Sequence, residues 1–268
     1  MAAAMDKGLV LLGCGKMGSA LLAGWLADGL SPSHVTVIDP YPSDWLQGTG
    51  VAINTDLPPD PAIVVIAVKP QMMGEALPAL QALGNGSTLF VSIAAGVTLA
   101  TYAAILGDQT PVVRAMPNTP AAIGRGITGL IGNDVATPDQ VDAADKLMAA
   151  VGQTVRLDNE GQMDALTAVS GSGPAYVFHL IETLAAAGEA EGLSPDLALQ
   201  LARATVAGAG ALAETSEESP AQLRINVTSP KGTTEAALKV LMDPETGFPP
   251  LLENAVKAAA DRSRELSG

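Results

Sequence analysis

The sequence predicts an α/β fold in which a parallel sheet flanked by helices is followed by an all-helical half. Three observations predict it. Short apolar runs alternate with helical patterns in the first half, as in a chain of β-α-β units. Three glycines stand where the first strand passes into the first helix. Beyond residue 160 the patterns are helical, rich in alanine and glycine, without strand alternation.

The first half supplies the predicted sheet. Its most regular strand has the sequence IVVIAV, which is β-branched and uninterrupted, as expected of a strand buried on both faces. A helix follows the first strand at Ser19–Ala27 and is closed by Gly29. The predicted strands are, in order, Leu9–Leu12, Val35–Ile38, Ile63–Val68, Thr88–Ile93 and Pro111–Met116.

The turn between the first strand and the first helix predicts a phosphate ligand. Gly13 permits the tight turn, Gly15 leaves the backbone open to a pyrophosphate, and Gly18 lets the helix pack closely on the strand. The helix N-terminus faces the negative charge. Asp39 ends the next strand at about the 20-residue spacing expected of a ribose-binding carboxylate. This context predicts a Rossmann-type dinucleotide-binding domain, in which we expect Cys14 to be a tolerated small residue rather than a reactive thiol.

The second half predicts a separate helical domain. The polar stretch Leu157–Gly161 marks the boundary, so we assign residues 1–158 to the dinucleotide-binding domain and residues 159–268 to an all-helical dimerisation and substrate-binding domain. The segment Leu197–Ala213 is almost wholly apolar. A helix that is apolar on nearly all sides must be surrounded, which favours a partner subunit. The predicted helices are Asp164–Leu184, Pro195–Ala213, Thr234–Leu241 and Leu251–Leu266.

Composition excludes several classes of partner. The chain of 268 residues has a net charge of −14, which disfavours nucleic acid and anionic membranes as partners. Cys14 is the single cysteine, so no internal disulfide is expected and a reducing compartment is favoured. The first ten residues lack a signal-peptide pattern, and we expect a cytoplasmic protein. The uncharged stretch Ala82–Gly107 is interrupted by glycine and polar residues, which predicts a strand, a loop and a helix rather than a membrane span.

Neither histidine predicts base catalysis. His34 precedes the second strand and is expected at the surface, whereas His179 is expected to be a core residue among apolar neighbours. Neither has the carboxylate or serine context of a catalytic triad, and the sequence offers no metal-ligand cluster. We therefore expect no metal and a reaction that needs no strong base.

Five further motifs of small residues follow the predicted strands or open the predicted helices. They are AVKPQ at 67–71, SIAAGVT at 92–98, RAMPNTPAAIGRG at 114–126, VSGSGPAYVF at 169–178 and INVTSPKGTTEAAL at 225–238. With these motifs in this order, the chain from the glycine loop to the last helix resembles the pyrroline-5-carboxylate reductase family. The glycine loop and the AVKP stretch are common to many dinucleotide enzymes, whereas the SPKGTT turn is highly specific.

The resemblance implies the reduction of 1-pyrroline-5-carboxylate to L-proline, the last step of proline biosynthesis, with NADH or NADPH. The carbon of a protonated imine is already electrophilic, so hydride transfer needs positioning more than a base. The resemblance further implies that the substrate carboxylate docks on backbone N–H groups of the turn, and that the Thr234 hydroxyl is the catalytic contact to the ring nitrogen. The implied substrate-binding residues are Ser229, Lys231, Gly232, Thr233 and Thr234.

The same resemblance implies the cofactor site and the assembly. Two chains would interleave their helical domains and complete each other's active sites as a homodimer, and dimers would assemble into a decamer. Ala95, Gly96 and Asn118 would approach the nicotinamide end. The implied cofactor-binding residues are Gly13, Gly15, Lys16, Met17, Gly18, Asp39, Asn54, Ala67, Val68, Lys69, Pro70, Ala95, Gly96 and Asn118.

Two positions depart from the family pattern. Lys231 stands where glycine is more frequent and brings a positive charge to the expected carboxylate site. Asp39 stands where many members have serine or threonine. An aspartate there accepts hydrogen bonds from a ribose 2′-OH and repels a 2′-phosphate, and no arginine follows within ten residues. We therefore expect NADH to serve at least as well as NADPH.

Three alternatives to this interpretation remain open at this point. A hydroxyacid dehydrogenase would place a catalytic lysine in the first long helix after the sheet domain, but residues 173–191 contain no lysine. An imine or deazaflavin-linked reductase would share the nucleotide domain and lack the Thr-Thr turn. A non-enzymatic dinucleotide sensor would need no carboxylate pocket, so proline binding would separate it from an enzyme.

Overall fold

The first half of the chain folds around one eight-stranded sheet. The computed structural model describes residues 7–267, so the stretch interpreted above as lacking a signal peptide lies largely outside the described residues. All five predicted strands are present. The strands are β1 (Leu9–Leu12), β2 (Val35–Ile38), β3 (Ala52–Ile53), β4 (Ile63–Ile66), β5 (Leu89–Ser92), β6 (Val112–Met116), β7 (Gly126–Gly132) and β8 (Gly152–Arg156).

Strand order confirms the α/β class and locates a binding crevice. The order across the sheet is β3-β2-β1-β4-β5-β6-β7-β8, and β1 pairs in parallel with both β2 and β4. The chain therefore adds strands on one side of β1 and then on the other. In such sheets ligands bind outside the carboxyl ends of the strands at this reversal. The loops after β1 and β4 are the two that border it.

The five predicted strands pair in parallel, and the one antiparallel pair of the sheet involves a strand that was not predicted. β7 runs antiparallel to β6, and β8 runs parallel to β7. The physical reason is the short connection of residues 117–125 between β6 and β7, because a parallel crossover needs about a dozen residues or more. The extra pair widens the sheet away from the crevice between β1 and β4.

Both faces of the central strands β1, β4 and β5 are buried. Leu9 and Leu11 belong to one apolar cluster, whereas Val10 and Leu12 belong to the other, because successive side chains in a strand point to opposite faces. On the first face Trp25 packs into the cluster and donates its Nε1–H to the carbonyl of Leu147, at 2.8 Å. The core of this half therefore lies in two layers above and below the strands.

Short helices connect the strands. The first begins at Lys16, three residues before the predicted Ser19, so that its N-terminus lies inside the glycine motif. Short 3₁₀ helices add to the connections at Pro32–His34, Pro70–Met72, Leu77–Leu83 and Thr119–Ile123. The α-helices of this half are α1 (Lys16–Ala27), α2 (Asp44–Gln47), α3 (Met73–Ala76), α4 (Leu99–Leu106), α5 (Pro138–Ala149) and α6 (Gln162–Leu166).

The predicted helix Asp164–Leu184 is not continuous. It is divided into α6, a π-helical turn at Thr167–Gly171, and α7 (Gly173–Ala190). The cause is the sequence Gly171-Ser-Gly-Pro174, because proline lacks an N–H donor and disfavours helical geometry in the residue before it. The other three predicted helices are present to within a few residues, and one short helix, α9, was not predicted. The helices are α8 (Pro195–Thr215), α9 (Pro220–Asn226), α10 (Thr233–Leu241) and α11 (Phe248–Ser267).

The chain divides into two compact units. The sheet unit contains the residues up to Gly171 together with those from Ala259 onward, and the helical unit is Ser172–Ala258. The end of α11 joins the sheet unit through a hydrogen bond of 2.6 Å from Ser263 Oγ to the carboxylate of Asp164. The two units meet between Gly171 and Ser172. The domain boundary between residues 158 and 159 stays a prediction.

The helical unit has little core of its own. Its buried cluster consists of Ala185, Ala198 and Ala202, whereas large apolar side chains such as Phe178 and Val240 are 59% and 69% exposed. His179, expected in the core, is exposed and lies 3.2 Å from the carboxylate of Glu182. In the described chain much of the apolar surface of this unit is therefore uncovered. None of the helices within residues 7–267 is both long and apolar enough to cross a bilayer.

Candidate functional site

The glycine loop has the geometry of a phosphate cradle. Gly13 has a φ of +90°, and a Cβ on Gly18 would lie 2.4 Å from the carbonyl oxygen of Gly13, so neither position accepts a side chain. A Cβ on Gly15, in contrast, would meet no atom within 4 Å. Gly15 is also the N-cap of α1, whose first turn begins with Lys16 and contains no acidic residue. Open space before unpaired helix N–H groups fits the pyrophosphate of a dinucleotide.

Asp39, which follows β2, holds this loop in place, and Asn54, which follows β3, holds Asp39. The carboxylate of Asp39 accepts hydrogen bonds from the backbone N–H of Cys14, at 2.6 Å, and from that of Tyr41, at 2.8 Å. The side chain of Asn54 closes a pair of hydrogen bonds with the backbone of Asp39, at 2.8 and 2.9 Å. Each carboxylate oxygen keeps a free lone pair, so Asp39 can hold the loop and still accept from a ribose hydroxyl.

Cys14 is unsuited to nucleophilic chemistry. Its side chain is 9% exposed. Burial, followed by the negative charge of Asp39, raises the pKa of the Cys14 thiol to about 11. A thiol must ionise to react, so Cys14 is inert near neutral pH.

The stretch after β4 forms the opposite wall of the crevice. A Cβ on Gly13 would lie 2.9 Å from Val68 Cγ1 and 3.0 Å from the carbonyl group of Ala67. Lys69 and Pro70 follow and are exposed. The structure thus brings Gly13, Gly18, Ala67 and Val68 together, while Met17 packs against the apolar cluster behind the loop.

The predicted nicotinamide-end residues follow the next two strands. Ala95 and Gly96 lie in the segment between β5 and α4, and Gly96 has a φ of +76°. A Cβ on Gly96 would lie 3.3 Å from Leu266. Asn118 is buried, and its amide donates to the carbonyl of Ser170, at 3.2 Å, and accepts from the N–H of Ile127, at 3.0 Å. These contacts make Asn118 a brace for the loop after β6.

A buried polar network beneath this segment was missed by the sequence analysis. The guanidinium of Arg114, on β6, is ion-paired with the carboxylate of Glu160, which also accepts the N–H of Leu99 at 2.8 Å. Ser92 and Tyr102 share a hydrogen bond, and burial raises the pKa of the Tyr102 hydroxyl to about 12. The one signal in the sequence is an arginine inside the otherwise apolar strand VVRAM.

In the helical unit, the turn at residues 229–234 leads into α10. Lys231 has a φ of +59°, a left-handed conformation that glycine adopts without strain. Its N–H donates to the carboxylate of Glu235, and the N–H of Gly232 donates to the carbonyl of Ser229 at 3.0 Å. A Cβ on Gly232 would lie 2.9 Å from the same Ser229 oxygen. Two of the backbone donors of the turn are therefore already used.

The N–H groups that remain are at the start of the helix. α10 begins at Thr233, its N-cap is Gly232, and no side chain caps it. The first N–H groups of a helix have no acceptor within it, so those of Thr233 and Thr234 are available to an anion. Thr234 is half-buried at the second helical position and is therefore not the cap residue.

Comparison with known proteins supplies the family evidence. The family described as pyrroline-5-carboxylate reductase dimerisation matches residues 160–266, and the family described as NADP oxidoreductase, coenzyme F420-dependent, matches residues 8–96. A pyrroline-5-carboxylate reductase of Pseudomonas aeruginosa is 42% identical over 265 residues, which cover 97% of this chain and 96% of that protein.

Solved structures agree with these matches. A pyrroline-5-carboxylate reductase from Coxiella burnetii superposes with a TM-score of 0.90 at 36% identity, covering 97% of this chain and 98% of that one. A pyrroline carboxylate reductase of Plasmodium falciparum with NADP bound gives a TM-score of 0.85 at 29% identity, with the same coverage of both chains.

Proposed function

Because the chain belongs to the pyrroline-5-carboxylate reductase family, it reduces 1-pyrroline-5-carboxylate to L-proline with NADH or NADPH, and we propose which residues carry each part of that reaction. The step is the last of proline biosynthesis. The sheet unit, which contains the nucleotide crevice, binds the cofactor. The helical unit, which contains the SPKGTT turn, binds the substrate.

The cofactor binds to the loops at the carboxyl ends of β1, β2 and β4. The observation that carries this assignment is the open space at Gly15, at the N-terminus of α1. The helix dipole and Lys16 favour the pyrophosphate, and Asp39 accepts from the adenine ribose. The cofactor supplies the hydride. The remaining cofactor residues of this assignment are Gly13, Met17, Gly18, Asn54, Ala67, Val68, Lys69, Pro70, Ala95, Gly96 and Asn118.

The substrate carboxylate binds to the turn that opens α10. Because the N–H groups of Lys231 and Gly232 already have acceptors, the Thr233 and Thr234 N–H groups are the main donors, with the Ser229 hydroxyl beside them. The helix dipole contributes about 0.3–1 kcal/mol to such an anion, and the Lys231 ammonium adds attraction. The Thr234 hydroxyl accepts from the protonated ring nitrogen and thereby orients the imine carbon.

Substitution of Thr234 by alanine tests this substrate site. The loss of a hydrogen bond to a charged partner costs about 1.5–3 kcal/mol, which is roughly a ten- to hundredfold loss in kcat/KM. Cofactor affinity and melting temperature should stay unchanged, since Thr234 does not cap α10. The matched control is Thr215→Ala, which removes an exposed helical threonine that bonds only within its helix. A Thr234→Ala enzyme with wild-type kcat/KM would remove Thr234 from the catalytic role.

Assembly follows from the helical unit. Its match to a dimerisation family means that the chain forms homo-oligomers. We place residues 1–158 in the cofactor domain and 159–268 in the dimerisation domain, with dimers joined into a decamer in the cytoplasm. Uncovered apolar side chains, including those of Leu197, Leu201 and Leu212 on α8, support the dimer, because association removes such surface from water. Analytical ultracentrifugation of the full chain tests the dimer and the decamer together.

A further inference from the structure

The segment of residues 93–98, which carries Ala95 and Gly96, is anchored at its start by the buried side chain of Ser92 and at its end by the partly buried side chain of Glu160. At its start, Ser92 Oγ accepts the N–H of Ala94 at 3.2 Å and shares a hydrogen bond with Tyr102. At its end, the carboxylate of Glu160 accepts the N–H of Leu99, the first residue of α4, at 2.8 Å. The segment therefore has fixed ends although it contains a left-handed glycine.

The anchor at the end of the segment depends on a buried charge. Arg114 is paired in register with Ser92 across β5 and β6, so both side chains leave the same face of the sheet. The Arg114 side chain is 8% exposed, and its partner Glu160 is 32% exposed. Glu160 Oε1 receives both the guanidinium and the Leu99 N–H. The position of Leu99 is thus coupled to an ion pair that begins on β6.

An ion pair in this place is a costly way to stabilise a fold. Removing two charges from water costs free energy, and apolar residues of similar volume are often as stabilising. What the pair provides instead is a fixed geometry, because a carboxylate held by a guanidinium presents its oxygen to Leu99 in one direction. Hydride transfer is sensitive to such geometry, since an error of about 1 Å in position can cost a hundredfold in rate.

We propose that Arg114 and Glu160 are positioning residues for hydride transfer, which hold the segment 93–98 in place through the N–H of Leu99. This inference rests on the assignment of Ala95 and Gly96 to the nicotinamide end of the cofactor. Neither Arg114 nor Glu160 contacts the reacting atoms in this assignment; both act through the backbone of the segment.

The variant Glu160→Gln in the full-length chain tests the proposal. Glutamine keeps an oxygen for Leu99 and loses the charge that holds Arg114. The expected result is a loss of at least about tenfold in kcat. We also expect a larger kinetic isotope effect with a cofactor that carries deuterium at the transferred position, because hydride transfer becomes slower than the other steps. Arg114→Lys retains a cation beside Glu160 and should keep most of the wild-type rate.

A control variant separates positioning from stability. Asp60→Asn removes the exposed Lys7–Asp60 ion pair, which precedes β4 at the opposite end of the strands, and should leave kcat and the isotope effect unchanged. Melting temperatures are measured for all variants, and rates are compared where each is folded. A Glu160→Gln enzyme that melts earlier but keeps the wild-type kcat and isotope effect would overturn the proposal. If Glu160→Gln does not fold, a wild-type isotope effect and kcat in Arg114→Gln, which removes the cation that holds Glu160, would overturn it equally.

A further variant distinguishes this proposal from the site assignment on which it rests. Ala95→Val adds two methyl groups to the segment itself. If Ala95→Val leaves kcat and the KM for the cofactor unchanged, the segment does not lie at the nicotinamide, and the site assignment fails. If Ala95→Val lowers kcat but Glu160→Gln does not, the assignment stands and the positioning role is wrong.

Discussion

Replacing Asp39 with serine should change both the stability of the glycine loop and the choice of cofactor. In the free protein the Asp39 carboxylate accepts two backbone N–H groups. The amide of Cys14 is in a buried residue, so the loss of its charged acceptor should lower the free energy of unfolding by about 1.5–3 kcal/mol. Tyr41 is exposed, and its amide can bond to water instead.

The effect on the cofactor is electrostatic. Two unit charges about 4 Å apart interact by about 1 kcal/mol in water, and a phosphate monoester carries about −1.5 to −2 charges. Removal of the Asp39 charge should therefore favour a 2′-phosphate by about 1.5–2 kcal/mol, or roughly ten- to thirtyfold in kcat/KM. NADH loses a hydrogen bond to its ribose in the same variant, so the ratio of NADPH to NADH efficiency should rise further.

Steady-state rates with each cofactor and a thermal melt measure the two effects separately. Asp39→Asn keeps one carbonyl acceptor for Cys14 without the charge, so it should change the cofactor ratio with a smaller loss of stability. Asp108→Ser, in an exposed turn before β6, is the control for the removal of one negative charge. If the wild type strongly prefers NADPH and neither Asp39 variant changes the ratio, Asp39 only holds the loop and the ribose assignment is wrong.

Three further predictions concern Cys14, Lys231 and the apolar surface of α8. Because the pKa of the Cys14 thiol is about 11, Cys14 of the native protein should react with iodoacetamide at pH 8 about a hundredfold more slowly than Cys14 of the unfolded chain. The rate of the native protein should increase as the pH rises. Equal rates for the native and unfolded protein would contradict the burial of Cys14. Lys231→Gly should raise the free energy of unfolding by about 1 kcal/mol, because glycine adopts the left-handed conformation without strain. Lys231→Ala keeps a Cβ and should not raise it. Equal melting temperatures of the two variants would show that Lys231 is not strained. The full chain should sediment above its monomer mass of 27.0 kDa at micromolar concentration. Leu201→Glu on α8 should weaken the assembly, whereas Val155→Glu on β8 should not. A wild-type chain that sediments as a monomer would refute the dimer.

The sequence was sufficient for those parts of the fold that depend on local pattern. Apolar runs predicted five parallel strands, and the glycine spacing predicted the turn before α1, because both follow from the geometry of a few neighbouring residues. The strands β3, β7 and β8 were missed, and β3 is only two residues long. β7 has the sequence GITGLIG, in which three glycines obscure the strand pattern, and β8 has the mostly polar sequence GQTVR.

The site was predictable where backbone geometry decides it and unpredictable where distant side chains meet. Gly13, Gly15 and Gly18 could be assigned from spacing alone. The pairing of Arg114 with Glu160 joins residues 46 positions apart, and nothing in the local pattern indicates it. The hydrogen bond from the Lys231 N–H to Glu235 spans only four residues. It was still not predictable, because an acidic side chain in the first turn of a helix can equally face solvent.

The contact between Gly96 and Leu266 has a consequence for synthesis of the protein. Translation delivers the glycine loop, the sheet and the segment around Gly96 first, and Leu266 leaves the ribosome only after the whole helical unit has been made. Domains generally fold in the order in which they are synthesised. The sheet unit cannot complete its folding in that order, because its last residues are made after the helical unit. A polypeptide stalled before residue 259 would carry every predicted cofactor residue and still lack the wall behind Gly96.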